Sequence, residues 1–293
     1  MNIAFYLHDE RNPAACRALL LRLKSRFRMV SGEEVRAFYA GTLRLRDACH
    51  VTIDDGWLST HRVVFPLLRE LEIPATIFVS PEACANGGTF WFQELNDCDQ
   101  AEIKRVMIEE EKLFRPEVAA FPLELIVKEL PIDVVNAVFA KCRARRGLPV
   151  PARSVVNPAE LREMADSGLV EVGAHTLTHP VLANETAERS EREIVDSVKL
   201  LREMLDRPIL SFAYPNGLPG TDFGRREMLA VEKSGARCAY SVCPGVLGGR
   251  SGDVFAIPRT GSEKRVALGR LGLLLPSLHD QEKPRAVIRK LKI

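Results

Sequence analysis

Two short segments and two isolated residues carry ionisable side chains where chemistry could use them. The segments are Thr52-Ile53-Asp54-Asp55-Gly56 and His175-Thr176-Leu177-Thr178-His179-Pro180; the isolated residues are His8 and Arg259. Two imidazoles four residues apart can reach one ion when a turn sets them side by side, and Pro180 favours a constrained turn over mid-helix. Taken alone, that spacing also fits two ordinary polar positions. Adjacent carboxylates repel unless a cation or an arginine compensates, although Asp-Asp-Gly alone also fits a solvated turn. Asp55 with His175 and His179 supplies three ligands and leaves a fourth position for water, which is the arrangement of a catalytic rather than a structural ion.

These residues need elements that bring them together. Apolar runs of strand length occur at residues 3–7, 50–53, 75–79, 169–174, 209–214, 238–242 and 254–257. Helical patterns lie between most of them, at residues 59–71, at 185–205 with Ile194, Val198, Leu201 and Leu205 at steps of three and four, and at 222–234, closed by Gly235. Alternating strands and helices predict an α/β chain with a mainly parallel sheet, and seven strands favour a barrel or a strongly curved sheet. The carboxyl ends of parallel strands share one rim. His8, Asp54, Asp55, His175 and Arg259 each follow an apolar run, so they are expected to converge there. Residues 86–158 lack the strand repeat and carry helical stretches at 100–114 and 132–146. This predicts a mainly helical insertion in one connection of a single domain spanning residues 1–293.

Thr-Ile-Asp-Asp-Gly followed by His-Thr-Leu-Thr-His-Pro resembles the first two signature motifs of the polysaccharide deacetylases, the NodB-like carbohydrate esterase family 4. The resemblance runs from His8 to Arg259 and includes Ile73-Pro74-Ala75-Thr76-Ile77-Phe78-Val79. It implies a distorted (β/α)7 barrel and a metal-dependent hydrolase that removes an N-acetyl group from an amino sugar. By the same resemblance Asp55, His175 and His179 would hold a divalent metal, Zn2+ first among the candidates and Co2+, Ni2+ or Fe2+ after it. Asp54 would be the general base that takes a proton from the attacking water.

Departures from the family pattern leave roles to be filled. The third motif, normally Arg-x-Pro-Tyr, reads Phe212-Ala213-Tyr214-Pro215-Asn216-Gly217, with Ala213 in place of the arginine and Asn216 in place of the aromatic. The backbone N–H of Asn216 can still help hold an oxyanion, with Tyr214 beside it, and Arg259 becomes the candidate to orient the base. The general acid, a C-terminal histidine in typical members, is sought in His8 of Phe5-Tyr6-Leu7-His8-Asp9. This resembles the permuted poly-N-acetylglucosamine deacetylase branch. His279 of Leu278-His279-Asp280 is the rival, disfavoured because Pro276 and Ser277 spoil the strand before it. Trp91, in Thr89-Phe90-Trp91-Phe92, either walls the sugar site or anchors the insertion, and Trp57 poses the same choice. His50 and His61 are assigned to structure or surface.

Composition sets the remaining expectations. The chain has 293 residues, net charge +2, 46% hydrophobic and 27% charged residues, a globular balance with no global field for nucleic acid. The seven cysteines follow no disulfide or Cys-x-x-Cys spacing and are expected to be reduced packing residues. The first residues lack the pattern of a signal peptide, so a cytoplasmic location is expected, with an N-acylated amino sugar of a nucleotide-linked or lipid-linked precursor as substrate. Residues 264–293 carry eight Lys or Arg against two acidic residues, a solvated tail or a weak attachment to an anionic membrane face. The competing readings are a hydrolase of another C–N bond, N-formyl or cyclic amide, and a carbohydrate-binding barrel without catalysis.

Overall fold

The computed structural model of the chain describes residues 1–87, 89–97, 99–149, 151–261 and 279–293. Among them eight strands form one parallel sheet: β1 (Ile3–Leu7), β2 (Arg28–Met29), β3 (Ala48–Ile53), β4 (Ala75–Val79), β5 (Val170–Ala174), β6 (Ser211–Ala213), β7 (Cys238–Tyr240) and β8 (Thr260–Gly261). The order is β7-β6-β5-β4-β3-β1-β8, with β2 paired to β3 off that path. Every residue of β3 and β4 is buried, which is why both read as continuous apolar runs: helices cover the outside of a parallel sheet and side chains fill the inside.

The sheet curls into a distorted (β/α)7 barrel. Ile257 bridges to Tyr240 at the end of β7, and three residues later β8 pairs with Phe5 and Tyr6 of β1. One segment therefore spans from one edge of the sheet to the other. The strand expected at 254–257 is thus displaced. Asp253 turns the chain by accepting from the N–H groups of Phe255 and Ala256, and Pro258 has no N–H for a ladder, so regular pairing starts only at Thr260.

Helices α1 (Pro13–Lys24), α2 (Gly32–Ala40) and α3 (Phe65–Glu70) flank the first strands, and α4 (Pro81–Asn86), α5 (Trp91–Asp97), α6 (Gln100–Arg105), α7 (Leu123–Val127), α8 (Ile132–Arg146) and α9 (Pro158–Asp166) lie between β4 and β5. After β5 come α10 (Ala187–Leu205), α11 (Arg225–Lys233) and, at the end of the chain, α12 (His279–Lys290). Helix α10 starts where the Thr186 hydroxyl accepts from Arg189 N–H, and it buries Ile194, Val198, Leu201 and Leu205 against the barrel. Helix α9 begins with a reciprocal Asn157–Glu160 capping box and packs Leu161 and Met164 into the same core.

Helices α5 to α8 build a second apolar core around Trp91, Met107, Phe114 and Phe139, which Ile288 of α12 joins. Where α12 meets α7, the buried Arg285 is 2.5 Å from both Glu129 Oε1 and Asp222 Oδ1. Cys16, Cys49, Cys84 and Cys238 are free and buried, Cys142 is buried, and burial pushes the Cys49 thiol up to about 12. Cys98 lies outside the described residues, as do residues 262–278 of the basic C-terminal stretch. No helix among the described residues is long and apolar enough to cross a membrane.

Candidate active site

Each strand end on one rim of the barrel delivers a polar residue. β1 leads to His8, β3 to Asp54 and Asp55, β5 to His175, and the closing segment to Arg259. Asp55, His175 and His179 are buried, and their donor atoms all lie within 4.8 Å of one another. Asp55 Oδ1 is 3.5 Å from His175 Nε2 and 3.3 Å from His179 Nε2.

The hydrogen bonds around this group fix which atoms face inward. His175 Nδ1 donates to the Ala213 carbonyl at 2.7 Å, which turns Nε2 toward Asp55. The Trp57 indole N–H donates to Asp55 Oδ2 at 2.9 Å, while Oδ1, though buried, has no hydrogen-bond partner among the described residues. An unsatisfied buried acceptor costs about 1–3 kcal/mol. Three donor atoms converging within one ion's reach suit a cation, and one carboxylate with two imidazoles is a donor set for Zn2+ or a similar divalent ion.

Charge states agree with that fit. Burial alone would raise the Asp55 carboxyl, but the facing His175 and His179 rings outweigh it and hold the group well below the usual carboxylate range. Burial moves His179 in the ligand-competent direction, lowering it despite the pull of Asp55. An ionised carboxylate and a neutral imidazole are the forms that bind metal.

Asp54 sits beside this cluster in a different environment. Arg259, fully buried, grips it with two parallel bonds of 2.7 and 2.8 Å. The guanidinium is itself fixed by the Ser241 carbonyl at 2.9 Å and Thr52 Oγ1 at 3.1 Å, and it lies 5.2 Å from the Tyr6 ring centroid. Burial works to raise Asp54, and the Arg259 charge reverses it, leaving the carboxyl below its ordinary value. His8 Nε2 stands 3.9 Å from Asp54 Oδ2 on the open side, with 26% of its side chain exposed.

The turns that carry these groups are strained. Asp55, Thr176, His179 and Asn216 have φ between 58° and 69°, four of the eight left-handed non-glycine residues described. For a β-branched residue such as Thr176 that region is unfavourable by about 1–3 kcal/mol. Their concentration at the ends of β3, β5 and β6 marks the rim as the functional face.

A cleft of about 450 Å³ opens over the rim, lined by these residues and, on its far side, by Lys128 and Arg285. Trp91 reaches its edge but is only 5% exposed and belongs to the second core. The neighbouring aromatics pack closer to the Asp-His-His group: the Phe90 and Phe92 rings lie 5.2 and 5.0 Å from His179, and Trp57 lies 5.9 Å from Phe92. Asn216 and Tyr214 both line the cleft, and the Tyr214 hydroxyl donates to the Phe255 carbonyl at 3.0 Å while its ring stacks on Phe223 at 3.6 Å. His50 is buried between the Val30 carbonyl and Thr76, and His61 pairs with Glu163. The side chain of His279 lies outside the described residues.

The rim of a parallel (β/α)7 barrel thus gathers an Asp-His-His donor set beside an arginine-held aspartate. The family model for polysaccharide deacetylase matches residues 45–230, more than half of the chain, and the chain belongs to that family. His8 and Arg259 fall outside the matched span, so their place in the site rests on geometry.

Among solved structures, the barrel is similar to IcaB from Ammonifex degensii at 18% identity, covering 98% of this chain and 96% of that one with a TM-score of 0.58. The BpsB deacetylase domain from Bordetella bronchiseptica is 19% identical, with 89% and 95% of the two chains covered and a TM-score of 0.58. Streptococcus pyogenes deacetylase PplD, solved in complex with acetate, is 14% identical, with coverages of 89% and 92% and a TM-score of 0.58. At these identities the likeness establishes the fold. No curated protein matches the chain by sequence.

Proposed function

We propose that the chain is a metal-dependent N-deacetylase acting on an N-acetylated amino sugar of a glycan. The observation that carries this reading is the Asp55–His175–His179 group, whose Asp55 Oδ1 faces both imidazoles with no hydrogen-bond partner among the described residues, directly beside the Asp54–Arg259 pair. Membership of the polysaccharide deacetylase family supports the reaction class.

A divalent ion held by Asp55, His175 and His179 would supply Lewis-acid polarisation and a more acidic water. Asp54 takes the proton of the attacking water. Arg259 keeps Asp54 ionised and aims it, because a two-pronged guanidinium contact fixes the carboxylate plane while leaving each oxygen a further lone pair. His8, on the open side of Asp54, donates a proton to the departing amine, and the Asn216 backbone N–H helps hold the carbonyl oxygen as it gains charge. His8 stands at the end of the first strand, as in the permuted branch that the sequence resembles.

The test compares Asp54→Asn with Asp55→Asn, measuring acetate released from N-acetylglucosamine oligomers together with bound metal by elemental analysis. Asp54→Asn is expected to keep its ion and lose about 10²- to 10⁴-fold in rate, while Asp55→Asn loses both. A His175→Ala, His179→Ala double variant that still holds a full equivalent of ion would overturn the site.

A further inference from the structure

The turn at residues 175–179 carries two of the three donor atoms, yet both Thr176 and His179 adopt left-handed backbone within it, at φ of 62° and 61°. A strained turn persists only when its surroundings over-determine it. Ser80 Oγ holds the His175 carbonyl and Thr176 Oγ1 accepts from His179 N–H, and the middle of the turn is held from α10. Glu193 is 1% exposed; its Oε2 accepts from the Thr178 backbone N–H at 2.9 Å, and its Oε1 accepts from the Thr178 hydroxyl at 2.8 Å. Its main-chain carbonyl accepts from Leu177 N–H at 3.1 Å. One residue of the helix thus takes three bonds from two consecutive residues lying between the histidines.

The anchor is itself held. Arg189, one helical turn earlier, donates to Glu193 Oε1 at 3.2 Å and to both Asp133 oxygens, at 3.0 and 3.2 Å, in the first turn of α8. Glu185 accepts from Ile132 N–H at 2.8 Å, docking the same end of α8. A carboxylate this deeply buried is unfavourable unless its lone pairs are satisfied, and here two of its donors belong to the histidine turn.

We propose that Glu193 is a positioning residue: it locks the 175–179 turn so that both imidazoles face Asp55, and thereby sets the affinity for the divalent ion. This rests on the reading of the rim as a metal centre. Groups behind metal ligands commonly contribute in this way, and their loss typically weakens binding by about 10- to 100-fold.

The experiment titrates Co2+ into the metal-free full chain, following the visible absorption of the bound ion, for wild type, Glu193→Ala, Glu193→Gln and Thr178→Val. Thermal unfolding of each metal-free form is measured alongside. Glu193→Ala is expected to bind Co2+ about 10- to 100-fold more weakly, and Glu193→Gln, which keeps an acceptor for Thr178 N–H, to fall between it and wild type. Wild-type affinity in Glu193→Ala overturns the proposal. So does a loss that Gln does not relieve and that only follows a lowered metal-free midpoint. If Glu193→Ala does not fold, weaker Co2+ binding by Glu193→Gln and Thr178→Val at an unchanged midpoint supports the proposal, and wild-type affinity in both overturns it. A wild-type chain that binds no Co2+ defeats the metal reading itself, a result distinct from any difference among the variants.

Discussion

Asp55 divides its two oxygens between different surroundings: Oδ2 is committed to the Trp57 indole N–H, and Oδ1 faces the histidines. Trp57→Phe deletes that single donor while keeping an aromatic ring against Phe92. It is expected to weaken Co2+ binding by about 10- to 100-fold, read in the same titration; an unchanged affinity would show that ring packing alone is what Trp57 supplies. The convergence of Asp54, Asp55, His175 and Arg259 on one rim was legible because each follows an apolar run and parallel topology sends such ends to one side; His179 was legible only from its four-residue spacing to His175. Trp57 was offered only as a wall of the sugar site or an anchor of the insertion, and Phe92 and Glu193 were given no role. Their parts depend on side-chain direction across a turn or on contact with a distant element, and neither leaves a mark in residue type or spacing.

At the level of elements, the helical character of the long β4–β5 connection was legible from its missing strand repeat, but its alliance with the C-terminal helix was not. That alliance centres on Arg285, which lies 2.5 Å from oxygens of both Glu129 and Asp222, all three buried. Asp222 also accepts from Leu218 N–H at 2.9 Å, so the clamp reaches the loop that follows Asn216. Removing the cation leaves two buried carboxylates short of their partner. Arg285→Ala is therefore expected to lower stability in urea by about 3–5 kcal/mol. A loss well under that, measured at unchanged slope, would mean that Arg289 alone compensates Glu129. The segment at 254–257 was misread as a strand because its apolar residues fit strand length, whereas Asp253 and Pro258 decide the backbone.

For the whole molecule, a net charge of +2 hides charges that matter only locally, and the barrel gathers them where a bound ion would bridge β3 and β5. An ion that binds only the folded chain stabilises it by about 2.7 kcal/mol at a concentration 100 times its Kd. Chelation followed by removal of the chelator is thus expected to lower the unfolding midpoint, and Zn2+ to restore it; the His175→Ala, His179→Ala variant is expected to respond to neither. Equal responses from both proteins would place the stabilising ion elsewhere.

The residue that compensates Asp54 rides on the segment that closes the ring, between the Ile257 bridge to β7 and the two residue pairs of β8 with β1. Among the described residues this seam holds fewer pairs than any other on the path round the barrel except the single β5–β6 pair. A molecule unzipped there keeps most of its strands and its three metal-facing side chains, yet leaves Asp54 without its guanidinium. The last joint of the ring and the counter-charge of Asp54 are thus one and the same segment.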